Sequence, residues 1–124
     1  MAVAYYSIRI ISDQNNLNNV SKILNIVPKN NRLTWIYEVV CNDESPYYNF
    51  INEFLDILEN KYEELSRIGV NKDDISFWFL YEYNNECNME FIPSDMKRLG
   101  EAGITLCISC FKTGSYIEIP QIDI

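Results

Sequence analysis

The sequence predicts an α+β domain, a mostly antiparallel sheet of about five or six strands with helices packed mainly on one face, in the order β-α-β-α-β-β-α-β. Three observations carry this. Segments with an apolar period of two alternate along the chain with segments of period three to four. The strongest β run, ISFWFLYEY at 75–83, is followed through the polar NNE turn at 84–86 by a second apolar run, CNMEFI at 87–92, in the manner of a hairpin. A chain of 124 residues that is 48% hydrophobic is long enough to bury one core, and no linker, repeat or low-complexity tract divides it, so residues 1–124 read as one domain.

In chain order, VAYYSIRII at 3–11 alternates as a strand, with Tyr6, Ile8 and Ile10 on one face and Tyr5, Ser7 and Arg9 on the other. Leu17, Val20, Ile23 and Leu24 recur at three and four and predict a short amphipathic helix, closed near Pro28. LTWIYEVVC at 33–41 is a second strand: Leu33, Trp35, Tyr37 and Val39 share a face, opposite Ile36, Glu38 and Val40.

A long helix is expected next. Ser45 suits its N-cap, Pro46 its first position and Gly69 its stop. Tyr47, Phe50, Ile51, Phe54, Leu55, Leu58, Tyr62 and Leu65 form its apolar stripe. After the hairpin, Pro93, Ser94 and Asp95 open a short helix carrying Met96, Leu99 and Ala102, with Gly103 at its end. ITLCISCF at 104–111 follows as a strand, and Lys112 to Ser115 turn into a last short strand, YIEI.

Composition excludes several chemistries. The net charge of −8 argues against a nucleic-acid partner, which needs clustered Lys and Arg, and favours encounter with a basic partner. The chain has no His, which removes Ser-His-Asp and Cys-His catalysis and imidazole metal ligands. Neither a basic leader nor an apolar run of about 20 residues is visible, so the expectation is a reduced, cytoplasmic protein with no membrane partner.

Cys107 and Cys110 form a Cys-x-x-Cys, but in a strand their side chains point to opposite faces and cannot share a disulfide or a metal. A redox Cys-x-x-Cys opens a helix; here the helix comes first. Cys110 reads as a small core residue and Cys107 as half-exposed. No metal site and no cofactor are expected.

Two surfaces qualify for binding. Between Asp43 and Glu64 the chain carries seven acids and one base, Lys61, which predicts an acidic helix face including Glu53, Asp56, Glu59 and Glu63. If helices cover one side of the sheet, the other carries Tyr5, Ile36, Val40, Trp78, Leu80 and Phe111, an apolar face suited to an interface or a homodimer. Strand glutamates Glu38 and Glu82, with Glu86 and Glu90, are the remaining candidates; they would serve acid–base chemistry only in a cleft that raises a carboxyl pKa.

The segment MEFIPSDMKRLGEAGITLCISCF at 89–111 resembles the C-terminal signature of the bacterial DUF4279 domains: a strand, a short helix ending in Gly, and an alternating strand finishing in an aromatic. Leu24-Asn25-Ile26-Val27-Pro28 resembles their L-G-I-x-P segment, and Trp35 the Trp that follows it. The resemblance implies a small bacterial cytoplasmic α+β domain and brings no catalytic residues. In general character the chain is also similar to small acidic immunity proteins.

The function expected is non-enzymatic protein binding, most concretely an immunity-type inhibitor that occludes a cationic toxin domain, with Glu53, Asp56, Glu59, Glu63, Tyr5, Ile36, Trp78 and Leu80 as contact residues. The alternatives are a small-molecule-binding protein or carboxylate/tyrosine enzyme with a cleft at Glu38 or Glu82, and a structural homodimer packed through the sheet.

Overall fold

The computed structural model describes residues 3–31, 33–42, 48–85 and 88–112. Its elements are β1 (Val3–Ile11), α1 (Leu17–Leu24), β2 (Asn30–Asn31), β3 (Thr34–Asn42), α2 (Phe50–Leu58), α3 (Tyr62–Arg67), β4 (Ile75–Tyr83), α4 (Pro93–Ala102) and β5 (Thr105–Lys112). They form an α+β structure whose sheet runs β2-β3-β1-β4-β5. Four strands are long; β2 has two residues only.

The β1–β3, β1–β4 and β2–β3 pairs are antiparallel, but β5 lies parallel to β4, so the sheet is mixed. This corrects two expectations. The hairpin after β4 does not form among the described residues: 88–92 run as irregular chain into α4, which carries the backbone across to the parallel β5. Parallel neighbours require such a crossover, whereas a hairpin requires antiparallel ones. The element order accordingly departs from β-α-β-α-β-β-α-β. The expected last strand, YIEI, lies outside the described residues.

The long helix is also corrected. It breaks into α2 and α3 at Asn60, whose φ of +66° is left-handed. Asn tolerates that region better than other residues with a Cβ, because its short amide bonds locally. The Asn49 side chain caps α2, accepting from the Asn52 backbone N–H at 3.4 Å; Ser45, Pro46 and Tyr47 lie outside the described residues. Asn25 (φ +56°) ends α1 in the same left-handed way, and Gly103 (φ +71°) ends α4.

Among the described residues, all four helices lie on one face of the sheet. Phe54 of α2 packs edge-on against Tyr37 of β3 and Phe77 of β4, with ring centroids 6.0 and 5.3 Å apart. α1 is fixed to β3 by Trp35, whose Nε1 donates to Ser21 Oγ at 2.9 Å. Leu65 of α3 and Leu99 of α4 join the same core as Tyr6, Ile8, Ile10 and Trp35. The strand alternation read from the sequence thus places these side chains as expected.

On the other face the register aligns Glu38, Ser7, Trp78 and Cys107 in one row and Val40, Tyr5, Leu80 and Ser109 in the next. The two cysteines of the Cys-x-x-Cys therefore fall on opposite faces of an intact β5. Cys107 is half-buried, but Cys110 is exposed and does not serve as core, because β5 is the edge strand at that end. Among the described residues, no group of three His, Cys, Asp or Glu side chains is placed to hold a metal ion, and no helix is long and apolar enough to cross a membrane.

Candidate functional site

The two surfaces expected to bind lie on opposite sides of the sheet. Glu53, Asp56, Glu59 and Glu63 belong to the helix layer, whereas Tyr5, Ile36, Trp78 and Leu80 belong to the helix-free face. One compact partner cannot cover both.

The helix-free face is less open than the sequence implied. Leu80 and Ile36 are only 3% and 7% exposed, although they stand outside the main core. Trp78 is overlaid by Arg9, its guanidinium carbon 4.3 Å from the ring centroid, and the Arg9 Nε donates to the buried Ser7 hydroxyl at 3.3 Å. The Trp78 indole N–H is taken by Ser76 Oγ at 2.9 Å. A cation already seated on this tryptophan disfavours a second cationic surface there. Glu38 also lies on this side, ion-paired with Lys29, and neither it nor Glu82 lines the cleft described below.

On the helix side the acidic stripe is interrupted by its own cations. Asp56 is bridged by Arg98 of α4 at 2.6 Å, and Glu63 by Arg67 one turn on at 2.8 Å. The break at Asn60 separates Glu63 from the other three. Among the described residues Glu53 and Glu59 have no ion-pair partner, and both are exposed.

At the N-terminal end of α2, whose first turn carries Glu53, the structure opens a cleft of about 520 Å³. It lies where the start of β1, the end of β4, the first turns of α2 and α4, and the 88–92 segment converge. Tyr6, Phe50, Phe79, Tyr81 and Phe91 supply aromatic walls. These rings brace one another: Tyr6 stacks on Phe79 at 4.9 Å, and Phe91 stands edge-on to Phe50 and Phe79 at 6.3 and 6.4 Å. Asn49, Asn88, Glu90 and Asp95 supply the polar lining.

No family model matches the chain, and no curated protein or solved structure matches it.

Asp95 is the most confined carboxylate of this region, 7% exposed in the first turn of α4. Its Oδ1 accepts from Asn52 Nδ2 at 2.6 Å, and Asn52 Oδ1 in turn accepts from Arg98 at 2.9 Å. Tyr48 packs on the cleft ring of Tyr6 at 5.4 Å, and burial, reinforced by Tyr37 and the Glu53 carboxylate, pushes its hydroxyl up to about 12. Glu53 is therefore electrostatically coupled to Tyr48, which packs behind one cleft ring. Farther along the layer, Tyr62 is raised by burial and by Glu59, against the opposing pull of Arg98.

The sequence reading missed the cleft because its parts come from distant segments. Tyr6, Phe79 and Tyr81 were visible as core-face residues, but Phe91 and Glu90 sat in the run taken for a strand, and Asp95 counted only as a helix opener. The signal in the sequence is the run of aromatics on one face of β4, Phe77, Phe79 and Tyr81.

Proposed function

We propose that this chain is a non-enzymatic protein-binding domain that engages a basic partner through its helix layer, most concretely an immunity-type inhibitor seated over the cationic surface of a toxin domain. The observation that carries the reading is the aromatic cleft at the N-terminal end of α2, the helix whose first turn carries Glu53, on a chain of net charge −8. Aromatic anchor pockets flanked by charge combine slow release with steered association. The resemblance to DUF4279 domains is compatible with such a role and adds no catalytic residue.

The test is co-expression and capture with the product of the neighbouring gene, followed by association kinetics. Glu53→Lys with Glu59→Lys should slow association about tenfold or more at low salt, while Val40→Glu, on the helix-free face, should leave it unchanged. If Val40→Glu abolishes the complex and the paired charge reversal does nothing, the interface is the sheet face and the reading falls.

A further inference from the structure

We infer that the aromatic cleft is an alkylammonium site, taking a lysine side chain of the partner rather than an apolar anchor. This deepens the binding role proposed above by naming the group the site receives.

The walls come first. Ring faces carry a negative quadrupole and attract a cation, the more so when water is excluded. Aromatic residues are 14% of the chain, yet five of them line this one cleft.

Asp95 supplies the charge. A carboxylate at 7% exposure is costly unless compensated. The α4 N-terminus and the Asn52 amide compensate it in part. Among the described residues no cation pairs with it: Arg98, the nearest along the hydrogen-bonded chain, is committed to Asp56 and Asn52. A carboxylate has about four lone-pair sites and Asn52 occupies one, at Oδ1. The remaining oxygen, in a residue that lines the cleft, is not a buried orphan and stays accessible to a further donor.

The same detail separates lysine from arginine. A guanidinium grips a carboxylate best with both oxygens and would have to share Oδ1 with the Asn52 amide, whereas an ammonium is a point charge with three donors and needs only Oδ2. Glu90, exposed at the rim, adds a second negative charge, and a volume of about 520 Å³ admits a side chain with its flanking backbone.

The site is tested without the partner. Nα-acetyl-lysine methylamide, its arginine counterpart and the uncharged norleucine isostere are titrated into the whole chain, following backbone amide resonances by NMR. The lysine compound should shift the Asn88–Phe91 and Asp95 signals saturably, at least tenfold more tightly than norleucine and more tightly than arginine. Asp95→Asn should erase the preference over norleucine, whereas Glu90→Gln should reduce it only in part. Equal binding of norleucine, no saturable shift at the cleft, or a preference that survives Asp95→Asn overturns the inference. Should Asp95→Asn not fold, the comparison of the three compounds on the unaltered chain still decides. Lysine selectivity without capture of the neighbouring product would fault the partner assignment alone; capture without lysine selectivity would fault the cleft.

Discussion

Asn52 on α2 and Asp95 on α4 are joined by a hydrogen bond of 2.6 Å, amide to carboxylate, across the seam between the two helices. Removing the amide leaves a buried carboxylate short of its only described side-chain donor. Asn52→Ala is expected to destabilise the fold by about 1–3 kcal/mol. The check is a fall in the urea midpoint at unchanged slope. Arg98→Gln, which breaks an exposed ion pair with Asp56, should cost no more than about 1 kcal/mol.

Trp35 and Ser21 make the corresponding tie between sheet and α1. Trp35 is fully buried, and its indole N–H has the serine hydroxyl as acceptor at 2.9 Å. Ser21→Ala should cost about 1–3 kcal/mol, since the donor is left without a partner. Ser21→Thr, which keeps the oxygen, should recover most of it. Denaturation followed by tryptophan fluorescence distinguishes the two.

Much of this was legible before the structure. Period-two alternation placed Tyr6, Ile8 and Ile10 in the core and Tyr5 and Arg9 opposite them, because strand geometry admits nothing else. The mixture of helices with a sheet followed from the same patterns. What failed was pairing and continuity. Residues 87–92 have a strand composition, yet composition does not encode a partner, and both edges of β4 are taken, by β1 and β5. The apolar stripe from Phe50 to Leu65 satisfies one long helix as well as two short ones, and only the left-handed backbone at Asn60 separates them. The cleft was hidden for a related reason: its walls are separated by up to 85 residues between Tyr6 and Phe91 and meet only through the fold.

The break at Asn60 is itself testable. With φ at +66°, Asn60→Gly should be neutral or slightly stabilising, while Asn60→Ala should cost about 1–2 kcal/mol, the penalty a Cβ meets in left-handed backbone. Thermal denaturation of both variants decides. A stabilising Asn60→Ala would mean that α2 and α3 fuse into one helix.

Tyr48 gives a pH dependence with a definite sign. Its hydroxyl titrates near 12 in the folded chain, against 10.0 in the unfolded one, because burial disfavours the phenolate. A raised folded pKa means that this contribution is fully present below pH 10 and is lost as pH climbs through about 12. Alkaline titration of tyrosinate absorbance should show a late step that disappears in Tyr48→Phe. Tyr48→Phe should also flatten the fall in stability above pH 10.

The placement of β1 has a consequence for synthesis. β1 pairs with β3 on one side and β4 on the other, and both follow it in the chain. A nascent chain that has released Ile11 must wait until Tyr83 emerges before the last of these neighbours exists. At about 5–20 residues per second that interval lasts seconds. Throughout it the ribosome displays a strand rich in tyrosine and isoleucine with at least one unsatisfied edge. The antiparallel β1–β3 ribbon can form early, but its open side is the slot reserved for β4, and a second nascent chain on the same message offers the same strand to fill it. The central position that makes β1 the best-protected strand of the finished protein also makes it the most vulnerable one during translation.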